Sequence, residues 1–267
     1  MIQQQWTYKP FDEAMTKIIA DEFNLPTIIA KVMELRGIVN REQSRNFFFP
    51  DQDQLHSPFL MKDMEKSIIR LHEQIQSGVG IMVYGDYDVD GTSGTSLLYL
   101  FLKSLGAEVH YYIPDRENEG YGLSKKGIKY AKYIGADLLI TCDCGINAFS
   151  QIEYANELHV DVIITDHHKP DEKLPSAFAI LNPNRFDCEY PFKGLCGAGV
   201  AFKFALAYCE RYEKNQNLVW EHSDLVAIAT AADLVPIVDE NRIIVYDGIK
   251  RISEGVKPGI KALLKTG

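Results

Sequence analysis

Three short polar segments carry the side chains best suited to chemistry in this chain. Residues 86–91 read Asp-Tyr-Asp-Val-Asp-Gly, residues 143–145 read Asp-Cys-Gly, and residues 166–168 read Asp-His-His. Carboxylates and imidazoles are ligands that suit hard or borderline divalent ions such as Mn²⁺ and Mg²⁺. Burying several carboxylates together is costly unless cations offset their charge. If the fold gathers these segments, the residue types predict a divalent-metal site.

Each polar segment follows an apolar run of strand length, at residues 81–84, 138–142 and 160–165. Helical patterns lie between these runs. Strands that alternate with helices predict an α/β fold, with a mainly parallel β-sheet and helices on both faces. The carboxyl ends of parallel strands share one edge of the sheet, and open α/β sheets bind their ligands there. We therefore expect all three polar segments at that edge.

Helical spacing predicts the elements that surround this sheet. The predicted helices cover residues 11–36, 41–49, 63–76, 94–105, 124–134, 148–158, 199–210, 224–231 and the stretch from 256 to the end. Two further strands are predicted at 109–113 and 178–181. We expect a helical N-terminal lead-in, residues 1–78, packed on a catalytic domain, residues 79–240. Residues 241–267 are expected to begin a helical linker to a second domain absent from this chain.

Composition limits the classes of protein to consider. The chain has 267 residues, of which 46% are hydrophobic, and a net charge of −9. The acidic balance argues against a broad basic nucleic-acid surface, although it is compatible with a local basic groove. The start of the chain shows no signal-peptide pattern, and no apolar run approaches the ~20 residues that a membrane helix needs. We therefore expect a cytoplasmic protein with no membrane partner.

Other metal and nucleotide sites fit the sequence poorly. The chain has five cysteines: Cys142, Cys144, Cys188, Cys196 and Cys209. They lack the paired spacing of a structural zinc site, so we expect reduced thiols. Asp86 could begin an EF-hand loop, but Leu97 stands where that loop needs a bidentate glutamate. Walker and G-x-G-x-x-G patterns are also absent from the sequence, and solvated turn aspartates would explain one acidic segment better than three.

These motifs together resemble the DHH phosphoesterase family, which is named for the sequence found here at residues 166–168. Residues 85–91 resemble the family's first motif, residues 143–145 its middle aspartate motif, and residues 231–236 its fourth. Further similarities are to the family's single-strand DNA exonucleases, and they lie at residues 36–38, 58–59, 64, 114–116, 120–123, 181–183 and 197–203. The resemblance covers nearly all of the chain in the family's order.

The resemblance implies a role for each polar residue of these motifs. One or two ions, Mn²⁺ or Mg²⁺, would be bound by Asp86, Asp88, Asp90, Asp143, His167 and Asp233. His168 would face the scissile phosphate, and the residues implied to act in catalysis are Asp88, Asp90, Asp143, His167 and His168. Asp166 would orient the histidines without binding an ion itself. Without the resemblance, Asp233 would be interpreted as a solvated or capping acid within a helical run.

A basic helix face could bind the substrate strand. Basic and aromatic residues at suitable spacing are Lys125, Lys126, Lys129, Lys132, Tyr121 and Tyr130. Basic groups with stacking aromatics are typical of single-strand binding, but a solvated lysine face is the competing interpretation. Arg116 is the stronger candidate, because it follows the strand predicted at 109–113 and so opens on the edge that carries the acids.

The resemblance implies a 5′→3′ exonuclease that degrades single-stranded DNA to 5′-mononucleotides in DNA repair and recombination, with protein partners left unassigned. One alternative is a family member that acts on small substrates: an oligoribonuclease, a cyclic-dinucleotide phosphodiesterase or a pyrophosphatase. Another is a catalytically weak nucleic-acid-binding fragment. No Gly-Gly-His motif follows Asp233, so we expect the metal site but only half of the substrate cleft. Such a chain would bind Mn²⁺ and digest long strands poorly.

Overall fold

The computed structural model describes Thr7, residues 9–255 and residues 257–265. The chain forms two compact units, divided between Gln54 and Leu55. Most of the N-terminal stretch on which the signal-peptide expectation depends lies outside the described residues. So do Val256, where the last predicted helix begins, and residues 266–267 at its end.

The first unit is a small group of helices. They are α1 (Glu13–Phe23), α2 (Thr27–Leu35) and α3 (Arg41–Phe48), and a 3₁₀ turn follows at Gln52–Gln54. The prediction of one helix over residues 11–36 is wrong, because the chain breaks between α1 and α2. Asn24 adopts a left-handed conformation with φ of 50° and closes α1. Pro26 then disfavours helical backbone at the residue before it. The helix predicted at 41–49 is confirmed.

The second unit is built on a parallel β-sheet, as predicted. Its strands are β1 (Ile81–Gly85), β2 (Val109–Tyr112), β3 (Leu138–Cys142), β4 (Asp161–Thr165) and β5 (Ala179–Leu181). They pair in the order β2-β1-β3-β4-β5 and are all parallel. The chain runs from β1 to one side for β2, then crosses to the other side of β1 for β3. In sheets of this order, ligands bind in the crevice at the carboxyl ends of β1 and β3.

Helices cover both faces of the sheet, which confirms the predicted fold class. They are α4 (Met64–Ser77), α5 (Val89–Ser104), α6 (Lys125–Tyr133), α7 (Phe149–Glu157), α8 (Gly197–Arg211), α9 (Asn217–Trp220), α10 (Ser223–Ala232), α11 (Asp239–Glu254) and α12 (Pro258–Leu263). Ile81 and Val83 of β1 lie in the core formed with α4, α5 and α8. Met82 and Tyr84 lie in the core formed with α6 and α7. Successive side chains of a strand point to opposite faces, so every residue of β1 is buried.

Some helices begin where the sequence does not predict them. Helix α5 starts at Val89 rather than at 94, because the Asp88 carboxylate accepts the Gly91 N–H at 2.9 Å and caps the helix. Helix α11 has 16 residues and no counterpart among the predicted helices. Its N-cap, Val238, makes no side-chain capping bond, and the sequence signals for its start are Asp239 and Glu240 in the first turn.

Helix α4 belongs to the second unit, although the sequence analysis groups it with the lead-in. Its residues Met64, Ile68 and Leu71 are buried in the same core as β1. A 3₁₀ turn at Pro58–Leu60 precedes it. The domain boundaries expected after residues 78 and 240 stay predictions.

Two other expectations concern membranes and thiols. Within the described ranges, no helix combines the length and the apolar character that crossing a membrane requires. All five cysteines are buried and form no disulfide, as expected.

Candidate metal centre

The three polar segments meet at the carboxyl edge of the sheet, where sheet hydrogen bonds position their first residues. The backbone N–H groups of Asp86, Asp143 and Asp166 donate to the last carbonyl of the neighbouring strand, at 3.3, 2.9 and 3.0 Å. These bonds extend the ladder one residue beyond β1, β3 and β4. The sheet itself therefore fixes the backbone of the three acids around the crevice between β1 and β3.

Within the described part of the chain, the possible ligand atoms form three groups, and the atoms of each group lie within 4.8 Å of one another: Asp86, Asp88 and Asp143; Asp90, His167 and Asp233; and Asp143, His167 and His168. Nε2 of His167 lies 3.2 Å from Oδ1 of Asp143. It lies 3.7 Å from an oxygen of Asp90 and also 3.7 Å from an oxygen of Asp233. The groups share members, so they form one continuous cluster. Every residue that the resemblance implied as a ligand lies in it.

Three atoms of this cluster are buried without a hydrogen-bond partner among the described residues. They are Oδ2 of Asp86, Oδ1 of Asp143 and Nε2 of His167. The last two lie close together, but their orientation makes no hydrogen bond. Buried polar atoms nearly always have a partner, and leaving one unsatisfied costs about 1–3 kcal/mol. All three atoms are carboxylate oxygens or imidazole nitrogens of one cluster, and such atoms bind divalent cations. The residues therefore fit a bound divalent cation.

The pKa values of the carboxyl groups also favour a bound cation. Burial, followed by repulsion from Asp90 and Asp166, raises the pKa of Asp143 to about 10. Burial also raises the pKa of Asp86 and of Asp90, although backbone N–H donors oppose the shift at both. Carboxyl groups with raised pKa values favour the protonated form unless a nearby cation stabilises the anions.

Asp90 is held by the amino end of α8. Its carboxylate accepts the backbone N–H of Gly197 at 2.6 Å and that of Ala198 at 2.8 Å. These are orphan donors of the first helical turn, and the helix dipole favours an anion there. Gly197 is required because a Cβ at that position would lie 2.8 Å from the Cα of Asp143. Residues 197–203 are recognisable in the sequence only through the family resemblance, which predicts no contact with Asp90.

Asp166 orients the histidine pair. Its Oδ1 accepts the backbone N–H of His167 at 2.7 Å and of His168 at 3.0 Å, and it lies 2.8 Å from Nδ1 of His168. Its Oδ2 accepts the Ile146 N–H at 3.0 Å. Burial raises the pKa of Asp166, but the hydrogen bond from His168 and the N–H donors outweigh burial and lower it overall. These bonds support the predicted role of Asp166 in positioning the histidines.

His168 is partly exposed to solvent and lies beside Tyr121. Its hydrogen bond to Asp166 raises its pKa more than burial lowers it, so the ring favours the cation. Its Nε2 lies 3.0 Å from the hydroxyl of Tyr121, a contact that the sequence did not predict. The Tyr87 and Tyr121 rings meet edge to face at 6.2 Å, and the Arg116 guanidinium lies 5.4 Å from the Tyr87 ring centroid. The structure therefore brings Arg116 next to Tyr87, which lies between Asp86 and Asp88 in the sequence.

Two asparagines support the histidine backbone. Nδ2 of Asn182 donates to the His168 carbonyl at 2.9 Å, and Nδ2 of Asn184 donates to the His167 carbonyl at 2.6 Å. Residues 181–183 carry part of the family resemblance, but their sequence predicts neither bond. The only sequence signal for such a role is the position of these residues directly after the last strand of the sheet.

The structure does not bring the lysines into the cluster. Lys125 lies in the first turn of α6, where its Nζ is 5.4 Å from the Tyr154 ring centroid. Lys129 is exposed one turn further along the helix. Within the part of the chain that the structure describes, neither lysine forms an ion pair with the acids of the cluster. Lys132 pairs with Asp137, which precedes β3 and so lies at the opposite edge of the sheet.

The parallel sheet, with a cluster of aspartates and histidines at its switch point, is typical of α/β proteins that bind divalent metal ions at this edge. Residues 80–230 match the model of the family described as DHH family, N-terminal domain. The match covers more than half of the chain, and the chain belongs to the DHH family.

Within the family, the chain is similar to single-stranded-DNA-specific exonucleases. The chain is 39% identical to the single-stranded-DNA-specific exonuclease RecJ of Bacillus subtilis (strain 168), over 98% of this chain and 33% of that protein. Two solved structures of RecJ from Thermus thermophilus each match 95% of this chain. The Mn²⁺ complex has a TM-score of 0.79, 29% identity and 35% of its chain covered, and the Mg²⁺ complex has 0.67, 27% and 32%. The chain thus spans about a third of the length of these relatives.

Proposed function

We propose that this chain carries the metal centre of a phosphodiesterase that degrades single-stranded DNA from the 5′ end to 5′-mononucleotides, in DNA repair and recombination in the cytoplasm. The observation that carries the proposal is the set of three buried, unpartnered ligand atoms at the switch point of the sheet. The similarity to single-stranded-DNA-specific exonucleases and to structures in complex with Mn²⁺ and Mg²⁺ supports the choice of substrate and ions.

The catalytic domain that we propose covers residues 79–240, with a lead-in over 1–78 and the start of a linker over 241–267. The family match over residues 80–230 lies within the proposed catalytic domain and supports it. Helix α4, whose buried face packs in the same core as β1, would join the lead-in to this domain.

The proposed ligands of one or two Mn²⁺ or Mg²⁺ ions are Asp86, Asp88, Asp90, Asp143, His167 and Asp233. Asp143 and His167 each belong to two of the candidate groups, so both lie at the centre of the proposed ligand set. Bound ions would supply an activated water and positive charge opposite the phosphate oxygens.

The chain's own residues would position the phosphodiester and offset its charge. Asp166 holds His168 through Nδ1, which leaves Nε2 directed toward the Tyr121 hydroxyl and the solvent-facing side. A cationic His168 there would stabilise negative charge on a phosphate oxygen. Arg116 would neutralise a further phosphate, and the rings of Tyr87 and Tyr121 would offer faces for stacking a base.

The lysines of α6 are proposed as weaker contacts. Lys125 begins the helix at the same edge of the sheet as the acids, and Lys129 follows one turn later. A strand that leaves the metal centre along α6 would pass Lys125 first. The contribution of each exposed lysine to affinity would be electrostatic and therefore weakened by salt.

Chelation tests the proposal directly. We expect the chain to hydrolyse 5′-labelled single-stranded DNA in Mn²⁺, to lose all activity in excess EDTA, and to regain it when Mn²⁺ or Mg²⁺ is restored. Duplex DNA, short RNA and pyrophosphate serve as comparison substrates. Full activity in EDTA would exclude the metal mechanism. Faster hydrolysis of short RNA or pyrophosphate would favour a small-substrate enzyme, and Mn²⁺ binding without hydrolysis would favour a nucleic-acid-binding fragment.

Arg116→Ala is expected to weaken binding of single-stranded DNA and to flatten its salt dependence. Each lost phosphate contact lowers the slope of log affinity against log salt by about 0.7 for single strands. The measurement is fluorescence anisotropy with labelled DNA over a range of salt concentrations. Arg211→Ala is the matched control, because Arg211 also lies over a tyrosine ring, at 5.6 Å, but at the far end of α8. An unchanged slope for Arg116→Ala would mean that Arg116 only supports Tyr87.

A further inference from the structure

The first turn of α11 is buried to an unusual degree for a segment that contains charged and polar residues. Glu240 and Asn241 are 0% and 1% exposed. Oε1 of Glu240 accepts a hydrogen bond from Nζ of Lys203 at 2.7 Å, and its Oε2 accepts one from the Tyr190 hydroxyl at 2.6 Å. Burying a carboxylate is costly unless it is paired and hydrogen-bonded, and here both conditions are met. Lys203 is part of α8, so this network fixes the start of α11 to α8.

Asn241 uses this fixed position to join two loops. Its Nδ2 donates to the Gly194 carbonyl at 2.6 Å and to the Pro236 carbonyl at 3.0 Å. Gly194 lies three residues before Gly197, and Pro236 lies three residues after Asp233. One amide group therefore fixes the spacing of two segments that belong to different parts of the chain.

Both segments lead directly to the metal centre. The segment after Gly194 delivers the backbone N–H groups of Gly197 and Ala198 to the Asp90 carboxylate. The segment before Pro236 carries Asp233. Asp90 and Asp233 are members of the same ligand group, which His167 completes. The separation of these two carboxylates therefore depends on the separation of the two carbonyls that Asn241 joins.

We infer that Asn241 is a positioning residue of the metal centre, which sets the distance between Asp233 and the amides that hold Asp90. The inference rests on the proposed function, because it is metal binding that requires the two carboxylates at a fixed spacing. An asparagine is suited to this position because its NH₂ group has two protons and can donate to both carbonyls, whereas an aspartate can donate to neither.

The test compares Asn241→Asp and Asn241→Ala with the matched control variants Gln74→Glu and Gln74→Ala. Gln74 is 3% exposed, and its Nε2 donates to the carbonyls of Val79 at 3.2 Å and Gly80 at 3.1 Å. Those carbonyls precede β1, at the sheet edge opposite the acids. Variants at both positions lose two hydrogen bonds to backbone carbonyls, so both should lower the melting temperature. Only the Asn241 variants should lower Mn²⁺ affinity, by about 10- to 100-fold, as loss of a supporting contact does in metal sites.

Mn²⁺ affinity is measured by electron paramagnetic resonance of the free ion, at a temperature where every variant is folded. Equal affinity in wild type and Asn241 variants, or equal losses at Asn241 and Gln74, would overturn the inference while leaving the proposed function intact. A wild-type chain that binds no Mn²⁺ would overturn both. If the Asn241 variants do not fold, the inference is tested by backbone amide hydrogen exchange of the wild-type chain with and without Mn²⁺. Mn²⁺ should slow exchange in residues 234–241 by linkage, and unchanged exchange there would refute the inference.

Discussion

Asp143→Asn should lower Mn²⁺-dependent phosphodiester hydrolysis by at least about a thousandfold, or ~4 kcal/mol of transition-state stabilisation. Asp143 belongs to two of the ligand groups, and its Oδ1 is one of the buried atoms that lack a partner. Its backbone has φ of 61°, a left-handed conformation that asparagine tolerates better than alanine. The substitution therefore removes the charge and keeps the loop. His167→Ala should have a similar effect on turnover, since His167 also joins two groups.

The same substitution should stabilise the chain in EDTA. Burial and neighbouring carboxylates raise the pKa of Asp143 from 3.8 to about 10. Between these values the metal-free folded chain holds a proton that the unfolded chain releases, so its free energy of unfolding falls as pH rises. Asparagine removes this dependence. The measurement is thermal unfolding in EDTA at several pH values within that interval, beside kcat in Mn²⁺.

Asp137→Asn is the matched control for Asp143→Asn. Asp137 precedes β3, which Asp143 follows, and its half-exposed side chain pairs with Lys132. Exposed ion pairs contribute about 0–1 kcal/mol, so this variant should keep near wild-type activity and lose little stability. Near wild-type kcat with unchanged Mn²⁺ content in Asp143→Asn would remove Asp143 from the metal centre.

Gly197→Ala should lower Mn²⁺ affinity and turnover by about 100-fold or more, although it adds a single methyl group. The new Cβ would lie 2.8 Å from the Cα of Asp143, and backbone atoms cannot move aside as a flexible side chain can. The amino end of α8 would have to shift, which breaks its two N–H bonds to Asp90. A displaced ligand shell typically lowers affinity or activity by about one to two orders of magnitude, and here two ligands are affected.

Gly259→Ala provides the comparison for Gly197→Ala. Gly259 is also helical, in α12, but a Cβ there would have no close neighbour within 4 Å among the residues that the structure describes. That variant should keep wild-type affinity and gain slightly in stability, because alanine favours helix more than glycine does. Mn²⁺ titration and circular dichroism on both variants separate a local effect from unfolding. Wild-type Mn²⁺ affinity in a folded Gly197→Ala chain would show that α8 does not need this close approach.

The sequence predicts much of this site because the sheet positions it. Asp86, Asp143 and Asp166 each follow an apolar run, and the edge shared by parallel strands brings such residues together whatever the loops do. Asp233 has no such local signal. It is the C-cap of α10, and its place in the cluster depends on how α10 packs against α5, which is a long-range contact. Only the resemblance identified it.

The remaining contacts could not be predicted because they join distant segments through backbone groups. The bonds from Gly197 and Ala198 to Asp90 depend on where α8 begins, and propensity alone places that start two residues late. Helix α11 could have been predicted from Asp239 and Glu240 in its first turn and Gly255 at its end, but the bond from Asn241 to Gly194 depends on long-range packing. The break between α1 and α2 could have been predicted, because Pro26 marks it locally.

The ladder bonds that extend past the strands have a consequence for how quickly ions would exchange. Asp86 and Asp143 are tied to the sheet through their own backbone N–H groups, whereas Asp233 lies on an exposed segment beyond the end of α10. If Asp86 and Asp143 bind an ion, their backbone would have to open for that ion to be released. This backbone is hydrogen-bonded to the sheet, so it should open as rarely as the sheet itself does. The backbone N–H of Asp233 instead donates to the carbonyl of Ala229 within α10 and is not tied to a strand. If two ions bind, we therefore expect the ion on the β1 and β3 side to exchange more slowly than the ion beside α10.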